Sequence, residues 1–123
     1  LQLTGEERKR LTRRYTADAE AYQLYLRGRY HWNKRTTAGL HKAIEYFQQA
    51  IDKDPKHAPA YAGLADSYSV LGSHDQGALA PQEAFPKAIT AAKKAIEIDE
   101  ALAEAHAALA FIRFHYEWDG AGA

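Results

Sequence analysis

The sequence contains no cysteine and no methionine, few valines and threonines, and only four prolines. Without cysteine there is no disulfide framework and no thiolate metal site, and the redox compartment stays open. Few β-branched residues beside abundant Ala predict helix, because Ala loses no side-chain entropy on becoming helical. No run of 18 apolar residues occurs, so no transmembrane helix is predicted, and there is no signal-peptide pattern. The apolar share of 46% and charged share of 26% match globular averages, which argues against disorder for most of the chain. The missing initiator Met and a final pattern broken off midway predict a piece of a longer protein.

Formal net charge is zero, so no whole-molecule field draws in nucleic acid or anionic lipid. The charge is unevenly spread, however. Residues 1–35 carry nine Lys/Arg and four Asp/Glu, and the remainder carry seven and twelve. The basic run Arg8-Lys9-Arg10-Leu11-Thr12-Arg13-Arg14, with Tyr15 beside it, has the residue types that touch phosphates. Its plainer reading is a solvated helix face anchored by Leu11 alone.

Catalytic constellations are missing too. The six histidines, at 31, 41, 57, 74, 106 and 115, form no H-E-x-x-H and no i, i+4 pair. There is no G-x-G-x-x-G, P-loop or G-x-S-x-G, and Ser67, Ser69 and Ser73 lack a neighbouring base. Asp52, Asp54, Glu97 and Asp99 sit at predicted helix ends, a solvated structural placement. The sequence therefore predicts a protein that is not an enzyme and needs no cofactor or metal.

What the chain does contain is a pattern written twice. AIEYFQQAIDKDP (43–55) returns as AITAAKKAIEIDE (88–100), with five of thirteen positions identical. APAYAGLA (58–65) returns as AEAHAALA (103–110) at the same offset of 45. Two separate segments sharing one offset point to an internal repeat. Leu40, Ala43, Ile44, Phe47, Ala50 and Ile51 follow i, i+3, i+4, i+7 and make one helical stripe; Tyr61, Leu64, Ala65, Tyr68 and Leu71 make another. Thr4 with Glu7 spells a capping box for a short first helix, and Thr37 is placed to cap the helix beginning near Ala38. Asp54-Pro55 ends that helix, and Gly72 stops the next.

These residues resemble the tetratricopeptide repeat, a helix-turn-helix of about 34 residues with the pattern W-x2-L-G-x2-Y, then A-x3-F, then P. Tyr61, Leu64, Ala65 and Tyr68 fall on its first helix; Ala43, Phe47, Ala50 and Pro55 fall on its second helix and closing Pro. The resemblance covers about residues 20–118 and implies an all-α superhelix of stacked helix pairs. Two full pairs, an unpaired last helix and a short N-terminal helix are expected. The units are 1–16, a capping or linker helix; 17–57, the first repeat; 58–100, the second, with an inserted loop at 73–86; and 101–123, the first helix of a third. The insertion explains the offset of 45. Gly77, Pro81 and Pro86 mark it as loop, with Pro81 suited to open a turn of helix and Pro86 better placed at a first helical position than inside one. Two phases remain open in the first repeat, one with Gly28 at the small-residue position and one aligning Ala21-Tyr22 with Ala60-Tyr61.

The resemblance also implies a function, the binding of a protein or peptide partner on the concave face. The family's groove-facing positions correspond to Tyr22, Tyr25, Arg29, Trp32 and Asn33 in the first repeat. In the second they are Ala62, Asp66, Ser69 and Val70, and in the third Glu104, Ala107, Phe111, Phe114 and His115. Tyr25, Arg29 and Asp66 stand where members that grip a terminal carboxylate carry Lys and Asn, so that mode is not expected. His106, at an aromatic position of the repeat, is read as structural. With Asp119-Gly120 expected to turn the chain after the last helix, Ile112, Phe114, Tyr116 and Trp118 should be partly uncovered. Self-association through that helix is therefore the alternative function, and nucleic-acid contact through residues 8–14 a further one. Residues 3–36 are similar in style to segments of bacterial signalling proteins, kinases or winged-helix regulators, that carry such arrays.

Overall fold

A computed structural model describes residues 4–73 and 79–121, excluding the side chains of residues 14–17 and 115–121. Among the described residues there are five α-helices and no strand: α1 (Gly5–Trp32), α2 (Thr37–Lys53), α3 (Ala58–Leu71), α4 (Pro81–Ile98) and α5 (Ala103–Ala121). Helix α1 packs on α2, α3 on α4, and α4 on α5. Helix α3 is central, touching α1, α2, α4 and α5. The largest fully buried side chains are Phe47, Phe85, Leu40, Leu71 and Ile112.

The N-terminal helix is not short. The capping box forms as the sequence predicts, with Glu7 N–H donating to Thr4 Oγ1 at 3.1 Å and Thr4 N–H to Glu7 Oε2 at 3.2 Å. From that cap one helix runs unbroken for 28 residues, because nothing between Gly5 and Trp32 breaks it: no proline occurs there. Glu20 lies level with Lys53, the last residue of α2, their charged groups 3.2 Å apart. Residues 5–19 therefore extend about 22 Å past the end of α2 at a helical rise of about 1.5 Å per residue. Arg8, Lys9, Arg10 and Arg13 are exposed on this projection, and Leu11 is 39% exposed.

Three further boundaries differ from expectation. Thr36, not Thr37, caps α2: Arg35 adopts a left-handed backbone (φ 56°), and Thr36 Oγ1 then accepts the Gly39 N–H at 2.9 Å. Gly72 caps α3 in a right-handed conformation (φ −84°), so left-handedness is not why a glycine stands there. A Cβ on it would lie 2.6 Å from Ala84 Cβ, and close approach of α4 is the reason. Pro86 sits inside α4. The one bond it removes is to the Gln82 carbonyl, in the exposed first turn where water can replace the N–H, while buried Ala84, Phe85 and Ala88 hold the helix in place. Of the inserted residues, 81–86 thus belong to the first turns of α4. Gly77 lies outside the described residues.

The offset of 45 recurs in backbone geometry. Asp54 ends α2 at φ −142°, ψ 94°, and Asp99 ends α4 at φ −141°, ψ 95°. Each aspartate accepts the N–H two residues on, Lys56 and Ala101, at 3.1 Å. Tyr61 Oη donates to the Pro55 carbonyl at 3.0 Å; its counterpart His106 reaches the Glu100 carbonyl through Nε2 at 2.7 Å. His106 is exposed, and its structural role is this tie between turn and helix.

The last helix departs from the sequence reading in two respects. It runs through Asp119-Gly120 to Ala121 instead of turning there. Ile112 is fully buried, because it shares the face of Ala105 and Ala108 that packs toward α3 and α4. Phe114 is 67% exposed, as expected of an uncovered face, whereas the side chains of Tyr116 and Trp118 lie outside the described residues.

Candidate interaction groove

Because α1, α3 and α5 lie side by side with α3 in the middle, residues spaced along their common face converge. Trp32 comes from the last turn of α1 and Arg35 from the turn after it. Helix α3 supplies Asp66, Ser69 and Val70, and α5 supplies Glu104, Ala107, Ala108 and Phe111. Together they line a cavity of 350 Å³. Of the residues named from sequence, Trp32, Asp66, Ser69, Val70, Glu104, Ala107 and Phe111 meet here.

The remaining candidates are placed differently. Tyr25 is half-buried and packs its ring against Tyr22 (6.3 Å between centroids), Phe47 (5.8 Å) and His57 (5.4 Å), so it joins α1 to the core. Tyr22 is exposed beside it, and Arg29 lies over the Trp32 ring, half-buried, without lining the cavity. Asn33 and Phe114 are exposed and do not line the cavity. Ala62 does not face the groove at all: it is buried with Ala95 and Ala105, where α3 meets α4 and α5. The side chain of His115 lies outside the described residues. Arg35 was not anticipated; it follows the helical stripe and reaches the groove only through its left-handed turn.

The groove has a definite electrostatic character. The Arg35 guanidinium lies 4.0 Å from the centroid of a Trp32 ring and that of Arg29 5.0 Å, cation–π arrangements that hold the indole in place. Trp32 Nε1 is buried with no hydrogen-bond partner among the described residues. Asp66 loses much of its hydration, and burial pushes its carboxyl up to about 6; Glu104 acts in the same direction while Arg29 and Arg35 oppose it. Ser69 Oγ donates to the Asp66 backbone carbonyl at 2.9 Å and so leaves the carboxylate alone. Burial also raises the Tyr25 phenol, which stays neutral.

A second, more open groove of 560 Å³ lies between α2 and α4 across α3, on Tyr61, Leu64, Tyr68, Lys87, Ala91 and Lys94 among others. Two of its three hydroxyls are already committed, Tyr61 Oη to the Pro55 carbonyl at 3.0 Å and Thr90 Oγ1 to that of Pro86 at 2.9 Å. It offers apolar surface and two ammonium groups, with less to orient a ligand than the Trp32–Asp66 cavity. Among the described residues no cluster of three or more His, Asp or Glu could hold a metal ion, and no helix is long and apolar enough to cross a membrane. The chain matches no protein-family model, no curated protein and no solved structure.

Proposed function

We propose that this chain is a non-catalytic interaction module built on tetratricopeptide-like helix pairs, and that it binds a protein or peptide partner in the groove between α1, α3 and α5. The observation that carries the reading is the convergence of Trp32, Asp66, Ser69 and Phe111 on one cavity. The resemblance to the repeat assigns the same four positions to a groove. Turns that repeat at an offset of 45, in dihedrals and hydrogen bonds alike, support the same architecture. Aromatic walls with a few polar groups between them are the usual make-up of a recognition pocket. A pull-down from the native source comparing the wild type with Asp66→Lys and Phe111→Ala tests it. Each substitution is expected to lose the partner while the oligomeric state stays unchanged; retention by both ends the proposal.

A second reading, self-association, has its own support. Every exposed large apolar side chain among the described residues lies on α1 or α5: Leu11, Tyr22, Leu26 and Tyr30 on the one, Phe111 and Phe114 on the other. Light scattering across a concentration series decides it, since a monomer at high concentration removes this alternative.

A further inference from the structure

We propose that the groove selects for paired charge: the segment it takes presents a basic side chain to Asp66 and Glu104 and, close by, an acidic one to Arg29. The inference rests on the groove reading above and adds the chemistry of the partner. Charge in and beside the cavity is sorted by structural element. Helix α1 and its following turn contribute both cations, Arg29 and Arg35, which lie over Trp32. Helices α3 and α5 contribute both carboxylates, Asp66 and Glu104. A wholly acidic segment would meet the two carboxylates and a wholly basic one the two guanidiniums. Only a segment carrying both signs is attracted along its whole contact.

Asp66 is the sharper half of the site. Among the described residues no hydrogen bond and no ion pair reaches its carboxylate, and the neighbouring hydroxyl of Ser69 is turned to the backbone. A desolvated carboxylate that feels Arg29 and Arg35 without a direct contact from either is incompletely satisfied, and an arriving ammonium or guanidinium completes it. Trp32 and Phe111 wall the same cavity and can cover the methylene stem of a Lys or Arg while its head reaches Asp66. At 350 Å³ the space lies at the small end of ligand pockets and suits inserted side chains, not a packed helix. The groups facing Asp66 are Tyr25 and Arg29 of α1, Arg35 of the turn and Glu104 of α5. With the Asp66 carboxyl raised to about 6, the basic half of the grip weakens as pH falls through that value.

The test is a selection from a random dodecapeptide display library on the immobilised chain at pH 7.5. The strongest binder is then synthesised and its Kd measured on the wild type, Asp66→Asn and Phe111→Ala. Enriched peptides are expected to carry both a Lys or Arg and an Asp or Glu. Asp66→Asn should weaken binding about tenfold or more. Replacing the peptide's basic residue by norleucine should weaken binding to the wild type distinctly more than binding to Asp66→Asn, where Glu104 alone still faces it. Thermal melts of Asp66→Asn at or above the wild type keep misfolding out of the result. Enriched peptides of a single charge sign overturn the inference. A Kd sensitive to Phe111→Ala but not to Asp66→Asn overturns it while sparing the groove. A Kd sensitive to neither, or a library without binders, overturns both.

Discussion

Two junctions of the molecule share a backbone plan and fill it differently. Where α2 lies against α1 and α3, the Phe47 ring is pressed between Gly28 and Gly63; a Cβ on either glycine would come within 2.5 or 2.6 Å of it. Forty-five residues on, where α4 lies against α3 and α5, Ala92 stands in place of Phe47 and Ala108 in place of Gly63, both buried. Asp66, in the groove, has Phe111 as its counterpart. The turns repeat closely while the interiors do not. Turn geometry is set by a few local hydrogen bonds, whereas interior volume can be divided among neighbours in many ways provided the total is kept.

The largest test of that contrast is removal of the ring. Phe47→Ala should cost about 3–5 kcal/mol, because it leaves two glycines facing a void that neither can fill. Ala92→Gly at the equivalent site should cost only about 1 kcal/mol, the helix-propensity difference. Urea unfolding of both variants measures the asymmetry, and equal losses would mean that the two junctions carry similar loads.

Next in size is Asp66, where the counterpart position holds Phe111 and no charge. The folded-state value of Asp66 is raised to about 6 from 3.8, so the neutral form is favoured on folding and ionisation opposes it. Stability from this group is therefore intact below about pH 4, falls as pH rises toward 6, and stays reduced above that. The full shift corresponds to about 3 kcal/mol as an upper figure. Asp66→Asn should stabilise the protein at pH 7.5 by up to that amount and make little difference near pH 4. Melts at the two pH values decide the matter; a destabilised Asp66→Asn at pH 7.5 would mean that the carboxylate has a partner in solution.

How much of this was legible beforehand depended on the range of the cause. The capping box at Thr4, the end of α2 at Asp54-Pro55 and the apolar stripe through Phe47 each depend on residues a few positions apart, and all are present. The groove residues came from the resemblance to the repeat and its groove-facing positions, not from periodicity; Trp32, Asp66 and Phe111 meet in the cavity, while Tyr22, Tyr25 and Phe114, assigned in the same way, do not line it. Pro86 misled, because a proline's cost depends on whether its orphaned carbonyl faces water, which local sequence does not reveal. Ile112 misled because its cover comes from α3 and α4, not from a helix that follows it. Arg35 was hidden because it is itself left-handed, a conformation no periodicity forecasts, and Ala62 because an alanine's small size suits a groove wall and a helix contact equally.

A smaller effect isolates the close contact itself. Gly63→Ala gains helix propensity of about 1 kcal/mol but sets a methyl 2.6 Å from the Phe47 ring. Overpacking of about 1–3 kcal/mol should win, giving a net loss of about 1 kcal/mol. In a Phe47→Leu background the same substitution should become neutral or favourable. A double-mutant cycle with no coupling would show that the ring and the glycine do not touch in solution.

The smallest predicted effects fall on the turns, and there the expected result is equality. Asp54 and Asp99 each accept one backbone N–H at 3.1 Å on an exposed surface, so Asp54→Ala and Asp99→Ala should each cost about 0.5–1.5 kcal/mol. The first turn is followed by Pro55 and the second has Glu100 in its place, which would separate the two if proline held the turn. Identical losses would place the repeat's specification in the aspartate and its Asx-type bond. A distinctly smaller loss at Asp54 would assign part of it to the fixed φ of Pro55, and the likeness of the turns would then be two solutions arriving at one shape.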